Sequence, residues 1–176
     1  EAGAPAPPAL WLPHPPRRDA RFDDAGDLIV TEHQDRARWH REEIDDGQRV
    51  LDTALIRRAP GRFQIQAAIA ALHATAPTFS ETDWPQIAAL YAELGRRAPS
   101  PVVELNRAVA IAHADGPNAG LGIVDSLTAE GDLADYHLLH ATRGELLARL
   151  GRNAEAVVAL RVALDRAPSE SERRFL

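Results

Sequence analysis

The stretch His140–Leu160, "HATRGELLARLGRNAEAVVAL", is a diverged copy of Glu104–Val124, "ELNRAVAIAHADGPNAGLGIV". A shift of 36 residues places arginine on arginine and small or aliphatic residues on one another: Arg143 on Arg107, Gly144 on Ala108, Ala156 on Gly120, Val157 on Leu121 and Leu160 on Val124. A helical pattern with a period near this length is typical of stacked helical hairpins, because one hairpin cannot bury its apolar side alone. The repeat therefore predicts an all-α fold, an irregular tetratricopeptide-like solenoid of helical hairpins.

Helical spacing of apolar residues extends over most of the chain, and turn residues divide it into about eight helices. The first 16 residues hold six prolines and are predicted to form a linker or arm, and residues 17–176 form the helical-repeat domain. The predicted helices occupy residues 35–58, 62–76, 82–97, 100–115, 118–130, 134–150, 153–167 and 170–176.

The composition narrows the classes of function. All 20 basic residues are arginine and the net charge is −6, so the chain is a poor candidate for gripping a phosphate backbone. It has no cysteine, which excludes disulfides, zinc–thiolate sites and thiol catalysis. No apolar run approaches the ~18 residues that span a bilayer. We expect a cytoplasmic protein that contacts neither membrane nor nucleic acid. The absence of methionine suggests part of a longer protein.

No motif for catalysis is present. The sequence has neither a nucleophile-elbow pattern nor a glycine-rich phosphate loop, and its runs of acidic residues are typical of a solvated helix surface. The spacing of the histidines does not match a helical metal site, which usually places two ligands four residues apart. We therefore predict no enzyme activity, no metal and no cofactor.

Several segments together resemble a known family. In chain order they are "RRDARFDDAGDLIVTEHQDRARWHREEIDDG", "FQIQAAIAALHATAPTFSETDWPQIAALY", "SPVVELNRAVA", "YHLLHATRGELLARLGR" and "ERRFL". This set, over residues 17–176, resembles the C-terminal tetratricopeptide-like extension of bacterial extracytoplasmic-function RNA polymerase sigma factors. The resemblance implies that sigma domains lie N-terminal to this region and that the region regulates or supports transcription initiation. Its partners are then the sigma domains, core polymerase or a regulatory protein, and DNA binding belongs to the parent protein.

A polar groove is the candidate site. His137, His140 and Arg143 are spaced three apart and share one helical side, and Asn106 and Arg107 occupy the corresponding side one repeat earlier. These five residues could hydrogen-bond a peptide. The alternative is that Asn106 and His137 bridge helices inside the solenoid. Secondary candidates are Gln64, Gln66 and His73, which lie on one predicted helix, and Trp84, which is otherwise a packing residue.

Two other functions share parts of this pattern. A free-standing tetratricopeptide-like adaptor would have the same fold without a link to transcription. A small-ligand sensor would use the polar groove to bind a metabolite.

Overall fold

The computed structural model describes residues 15–20, 22–23, 29, 31–56 and 61–175. Within these ranges the chain forms two 3₁₀-helices, Pro15–Ala20 and Arg36–Arg38, and eight α-helices. The α-helices are α1 Arg41–Ile56, α2 Arg62–Thr75, α3 Trp84–Arg97, α4 Pro101–Ala114, α5 Pro117–Glu130, α6 His137–Arg149, α7 Asn153–Arg166 and α8 Glu170–Phe175. The prediction of an all-α helical-hairpin fold is confirmed. The predicted proline-rich arm, residues 1–16, lies almost wholly outside the described residues.

Two helix starts differ from the prediction. The first helix was predicted from Asp35, but the chain makes one 3₁₀ turn there, capped by the Asp35 carboxylate, which accepts from the Ala37 N–H at 2.9 Å. Trp39 is then extended and only 3% exposed, so α1 begins two residues later, at Arg41. α6 begins at His137 instead of residue 134, because residues 132–135 form a turn after the left-handed Gly131.

The chain divides between Asp83 and Trp84 into two compact units. In the first unit, α1 packs against α2 through Leu51, Ala67 and Ala71. A second small core in this unit joins Trp39 and Ile44 with Ala20 of the first 3₁₀-helix. The α2 side of this contact is made of small alanine side chains.

The second unit contains the repeat seen in the sequence. Each helix from α3 to α7 packs against the next, and α4 also contacts α6. Two hairpins, α4–α5 and α6–α7, correspond to the two copies. One apolar cluster extends through α4, α5, α6 and α7, and Val124, Leu139 and Leu147 at its centre are 0% exposed.

Each hairpin has a glycine where its two helices cross. At Gly120 of α5, a Cβ would lie 2.6 Å from the Ala108 carbonyl oxygen and 2.6 Å from the Cβ of Ala112, both on α4. In the second hairpin the glycine is on the other helix: a Cβ on Gly144 of α6 would lie 2.6 Å from Cγ of Leu160 on α7. The small residue thus permits close contact between the paired helices.

Among the described residues, no helix combines the length and apolar character needed to cross a membrane.

Candidate protein-interaction surface

One exposed surface is built from the first helix of each repeat. On α4, the residues at helical spacing along this side are Val102, Asn106, Val109 and His113, and on α6 they are Leu138, Thr142, Glu145 and Arg149. We call these eight residues the α4–α6 face. Val102 and Leu138 are each 37% exposed, so each presents part of an aliphatic side chain to solvent, although Val157 and Val158 of α7 are more exposed, at 47% and 61%. The face therefore offers apolar surface to a partner.

The two apolar residues of this face occupy equivalent positions. Val102 and Leu138 differ by the 36 residues of the repeat. α4 and α6 are in contact, and Arg149 Nη2 donates to the Ala112 carbonyl oxygen at 3.3 Å, so the C-terminal ends of the two helices meet. Val102 and Leu138 are each the second residue of their helix.

Trp84 lies at the end of the face that contains His113. Its ring stacks on the His113 imidazole, with centroids 4.2 Å apart and planes inclined by 22°. The stack joins the first residue of α3 to the last turn of α4. Trp84 therefore has the packing role considered in the sequence analysis, and it also places an aromatic ring beside the face.

A groove of about 510 Å³ lies on the other side of α4, between the C-terminal ends of α3 and α5. We call it the Arg107 groove. Its walls combine apolar and charged residues: Ala92, Gly95, Arg96, Pro99, Ser100, Pro101, Glu104, Arg107, Leu127 and Glu130. A ligand there would meet small apolar side chains and charges of both signs.

An ion pair fixes the charge pattern of the Arg107 groove. Arg107 Nε and Nη2 donate to the two Glu104 carboxylate oxygens at 2.8 and 2.5 Å. The hydrogen bond from Arg107 holds the pKa of Glu104 below its usual value, and the same bond raises the pKa of Arg107. Both side chains are partly exposed, so the pair contributes at most ~1 kcal/mol to folding.

A Glu104→Gln variant should be less stable than the wild type at pH 7, by up to ~1 kcal/mol. Because the folded pKa of Glu104 is depressed, its contribution is complete above the ordinary value of 4.5 and is lost as pH falls from there through the folded pKa. The difference between variant and wild type should therefore vanish at low pH. Urea unfolding at a series of pH values measures it. Zero coupling in a double-mutant cycle with Arg107→Gln would contradict this account.

The structure separates the five residues predicted to form one polar groove. Asn106 is exposed on the α4–α6 face, whereas Arg107 lines the Arg107 groove. His137 is only 8% exposed, and its Nε2 lies 3.7 Å from Glu172 of α8. A ring nitrogen of His140 is 2.8 Å from the Ala134 carbonyl oxygen, and Arg143 donates to Asp125 of α5 at 2.8 Å. The last three thus engage neighbouring segments of their own unit.

The secondary candidates on α2 belong to the first unit. Gln66 is exposed and Gln64 is half-buried, as expected for residues two positions apart, which point to nearly opposite sides of a helix. The carbonyl oxygen of His73, in the last turn of α2, accepts a hydrogen bond from Arg36 at 2.9 Å. Gln64 therefore lies apart from Gln66, whereas Gln66 and His73, seven residues apart, share one side of α2.

Sequence reasoning missed the apolar part of the surface. Val102 and Leu138 were assigned to helices but not to a site, although their 36-residue spacing was visible. Glu104 and Leu127 of the Arg107 groove were also missed, because α3, α4 and α5 meet there only in three dimensions.

Comparison with known proteins gives two matches. Residues 4–55 match a protein family described as "Family of unknown function (DUF6596)". The chain is 45% identical over 168 residues to the uncharacterized protein R00370 of Rhizobium meliloti (strain 1021). That alignment covers 96% of the chain but only 39% of the Rhizobium protein, so the chain spans about two fifths of this relative. No solved structure shows a significant match.

Proposed function

We propose that the chain is the C-terminal regulatory region of an extracytoplasmic-function RNA polymerase sigma factor, acting in the cytoplasm through protein contacts and not through catalysis. Its partners are the sigma domains of the same chain, core polymerase or a regulatory protein. DNA and membrane are not its ligands.

The exposed side chains of Val102 and Leu138, at equivalent positions of the repeat, support the interaction part of this proposal. Solenoids of helical hairpins commonly bind partners along the surface made by equivalent helices. Full burial of such a side chain stabilises by ~1.5–3 kcal/mol relative to full exposure, so covering their remaining exposed area contributes part of that each. The neighbouring Asn106 amide can both donate and accept, which suits the backbone of a bound segment.

The link to transcription is supported by the order and spacing of the segments that resemble sigma-factor extensions. It is also compatible with the Rhizobium relative, most of which lies outside the alignment. A free-standing adaptor would use the same α4–α6 face, so it is the alternative that an experiment has to separate.

The test combines the whole reading frame with a surface variant. The protein encoded by the complete frame containing this chain is assayed for promoter-dependent transcription with core polymerase. A Val102→Asp, Leu138→Asp double variant should change this transcription at least about tenfold, in either direction, because two charges on the face oppose apolar docking. Val158→Asp is the control for placing a charge at an exposed valine: Val158 is 61% exposed on α7, a helix that carries none of the eight residues of the face, and its variant should behave as wild type.

The outcomes separate the two parts of the proposal. If the complete frame encodes no sigma domains, the sigma-factor assignment is wrong and the adaptor remains. If sigma domains are present and the double variant transcribes as the control does, the α4–α6 face is not the interaction surface.

A further inference from the structure

The first unit contains an arginine, Arg36, that has no carboxylate partner among the described residues. Arg36 Nη1 donates to the carbonyl oxygens of His73 and Ala76, at 2.9 and 2.6 Å, and so holds the C-terminal end of α2. Arg36 forms no ion pair within the described part of the chain, and the adjacent Asp35 carboxylate accepts from the Ala37 N–H instead. Burial, and secondarily the charge of Arg41, lower the pKa of Arg36. Among the described residues, the acceptors of this guanidinium are therefore backbone carbonyl oxygens and not a carboxylate.

A second donor beside this guanidinium is also unpaired. The Arg36 guanidinium lies over the Trp39 indole, with its Cζ 4.5 Å from the ring centroid. Trp39 is 3% exposed, and its Nε1 has no acceptor among the described residues. Arg36 Nη2 is likewise buried without an acceptor there. Two neighbouring buried donors without partners are unusual, since each missing hydrogen bond costs ~1–3 kcal/mol of folding free energy.

Positive charge is concentrated around the same ring. The Cζ of Arg17, in the first 3₁₀-helix, lies 5.6 Å from the centroid of the Trp39 ring. The Trp39 indole is therefore flanked by two guanidinium groups. A water molecule could accept from Arg36 Nη2 and Trp39 Nε1, but it would bring no negative charge to the Arg36 guanidinium.

We propose that Arg36 and Trp39 form an anion site for a small oxyanion, a carboxylate or phosphate group, that accepts from Arg36 Nη2 and Trp39 Nε1. One charged acceptor would satisfy both unpaired donors, because it can accept from the guanidinium of Arg36 and from the indole N–H of Trp39. The site is independent of the α4–α6 face, which belongs to the other unit.

The indole N–H of Trp39 reports on the site directly. The chain has three tryptophans, so a proton–nitrogen correlation spectrum shows three indole signals, and Trp39→Phe identifies that of Trp39. Inorganic phosphate, titrated at constant ionic strength against chloride, should move this signal and raise the melting temperature. A stabilisation of 1 kcal/mol would correspond to ~2–4 °C in a chain of this size. The Trp39→Phe variant keeps an aromatic ring but should lose the phosphate-dependent rise.

Trp84→Phe is the matched control and should retain the full response, because Trp84 lies in the other unit. A carboxylate from the chain itself is a second source of the same chemistry, and "DDAGD" at 23–27 is an acidic stretch that lies between Arg17 and Arg36 in sequence. In that case phosphate has no effect, and an Asp24→Asn, Asp27→Asn variant shifts the Trp39 signal. If neither phosphate nor this variant moves the signal, the anion site does not exist.

Discussion

Replacing Leu139 by alanine should lower the stability of the second unit by ~3 kcal/mol, one of the two largest effects that we expect from a single substitution. Leu139 is 0% exposed and belongs to the cluster that joins α4, α5, α6 and α7. Removal of its isobutyl group leaves a cavity that the surrounding helices fill only in part. Comparable core substitutions lower the free energy of unfolding by ~2–5 kcal/mol. Urea unfolding followed by circular dichroism measures the loss.

The adjacent residue supplies the control for this prediction. Leu138→Ala removes the same atoms one position earlier, where the side chain is 37% exposed. Its cost should be ~1 kcal/mol, because part of the side chain is already in water. Equal losses for the two variants would show that α6 is not oriented as described.

The second large effect is expected at the helix crossing of the first repeat. Gly120→Ala should destabilise by a net ~2 kcal/mol, or ~4–8 °C in melting temperature. The new methyl group would meet the Ala108 carbonyl oxygen at 2.6 Å, and a backbone atom within α4 cannot move aside as the end of a side chain can. The strain of overpacking, up to ~3 kcal/mol, is offset by ~1 kcal/mol because alanine favours helix over glycine.

Gly122→Ala isolates the steric part of this effect. Gly122 lies on the same helix, is exposed, and has no atom within 4 Å of the position of an added Cβ. This variant gains the same helix propensity without the clash and should be stabilised by ~1 kcal/mol. If Gly120→Ala were as stable as Gly122→Ala, the close approach of α4 and α5 would be refuted.

The helices were predictable because local signals mark them. Pro101 occupies the first position of α4, where proline is favoured, and Gly131 ends α5 in the left-handed conformation that glycine adopts readily. Trp39 marks where such reasoning failed. The apolar residues around Trp39 have helical spacing, which predicted a continuous helix. In the structure Trp39 is extended, so that its indole is buried and the helix begins only after it.

The site was less predictable than the fold because sequence spacing does not show which partner a polar side chain finds. His137, His140 and Arg143 share one side of a helix in projection. Their partners, however, come from three different segments: α8, the turn before α6, and α5. The exposure of Val102 and Leu138 was equally hard to predict, since it depends on how helices far apart in sequence pack against α4 and α6.

The exchange of glycine between the two hairpins has a consequence for evolution. Gly120 of α5 faces Ala108 of α4 in the first hairpin. Their counterparts 36 residues later are Ala156 of α7 and Gly144 of α6. The glycine is therefore on the other helix of the second hairpin, but each crossing still consists of one glycine and one alanine. The two crossings of this chain therefore agree in the combined volume of two positions and differ at each position alone. An alignment of the two copies that scores each position separately counts two mismatches here, although both crossings keep one glycine and one alanine. Ancestry of these hairpins is therefore better traced through correlated pairs of residues than through single conserved positions.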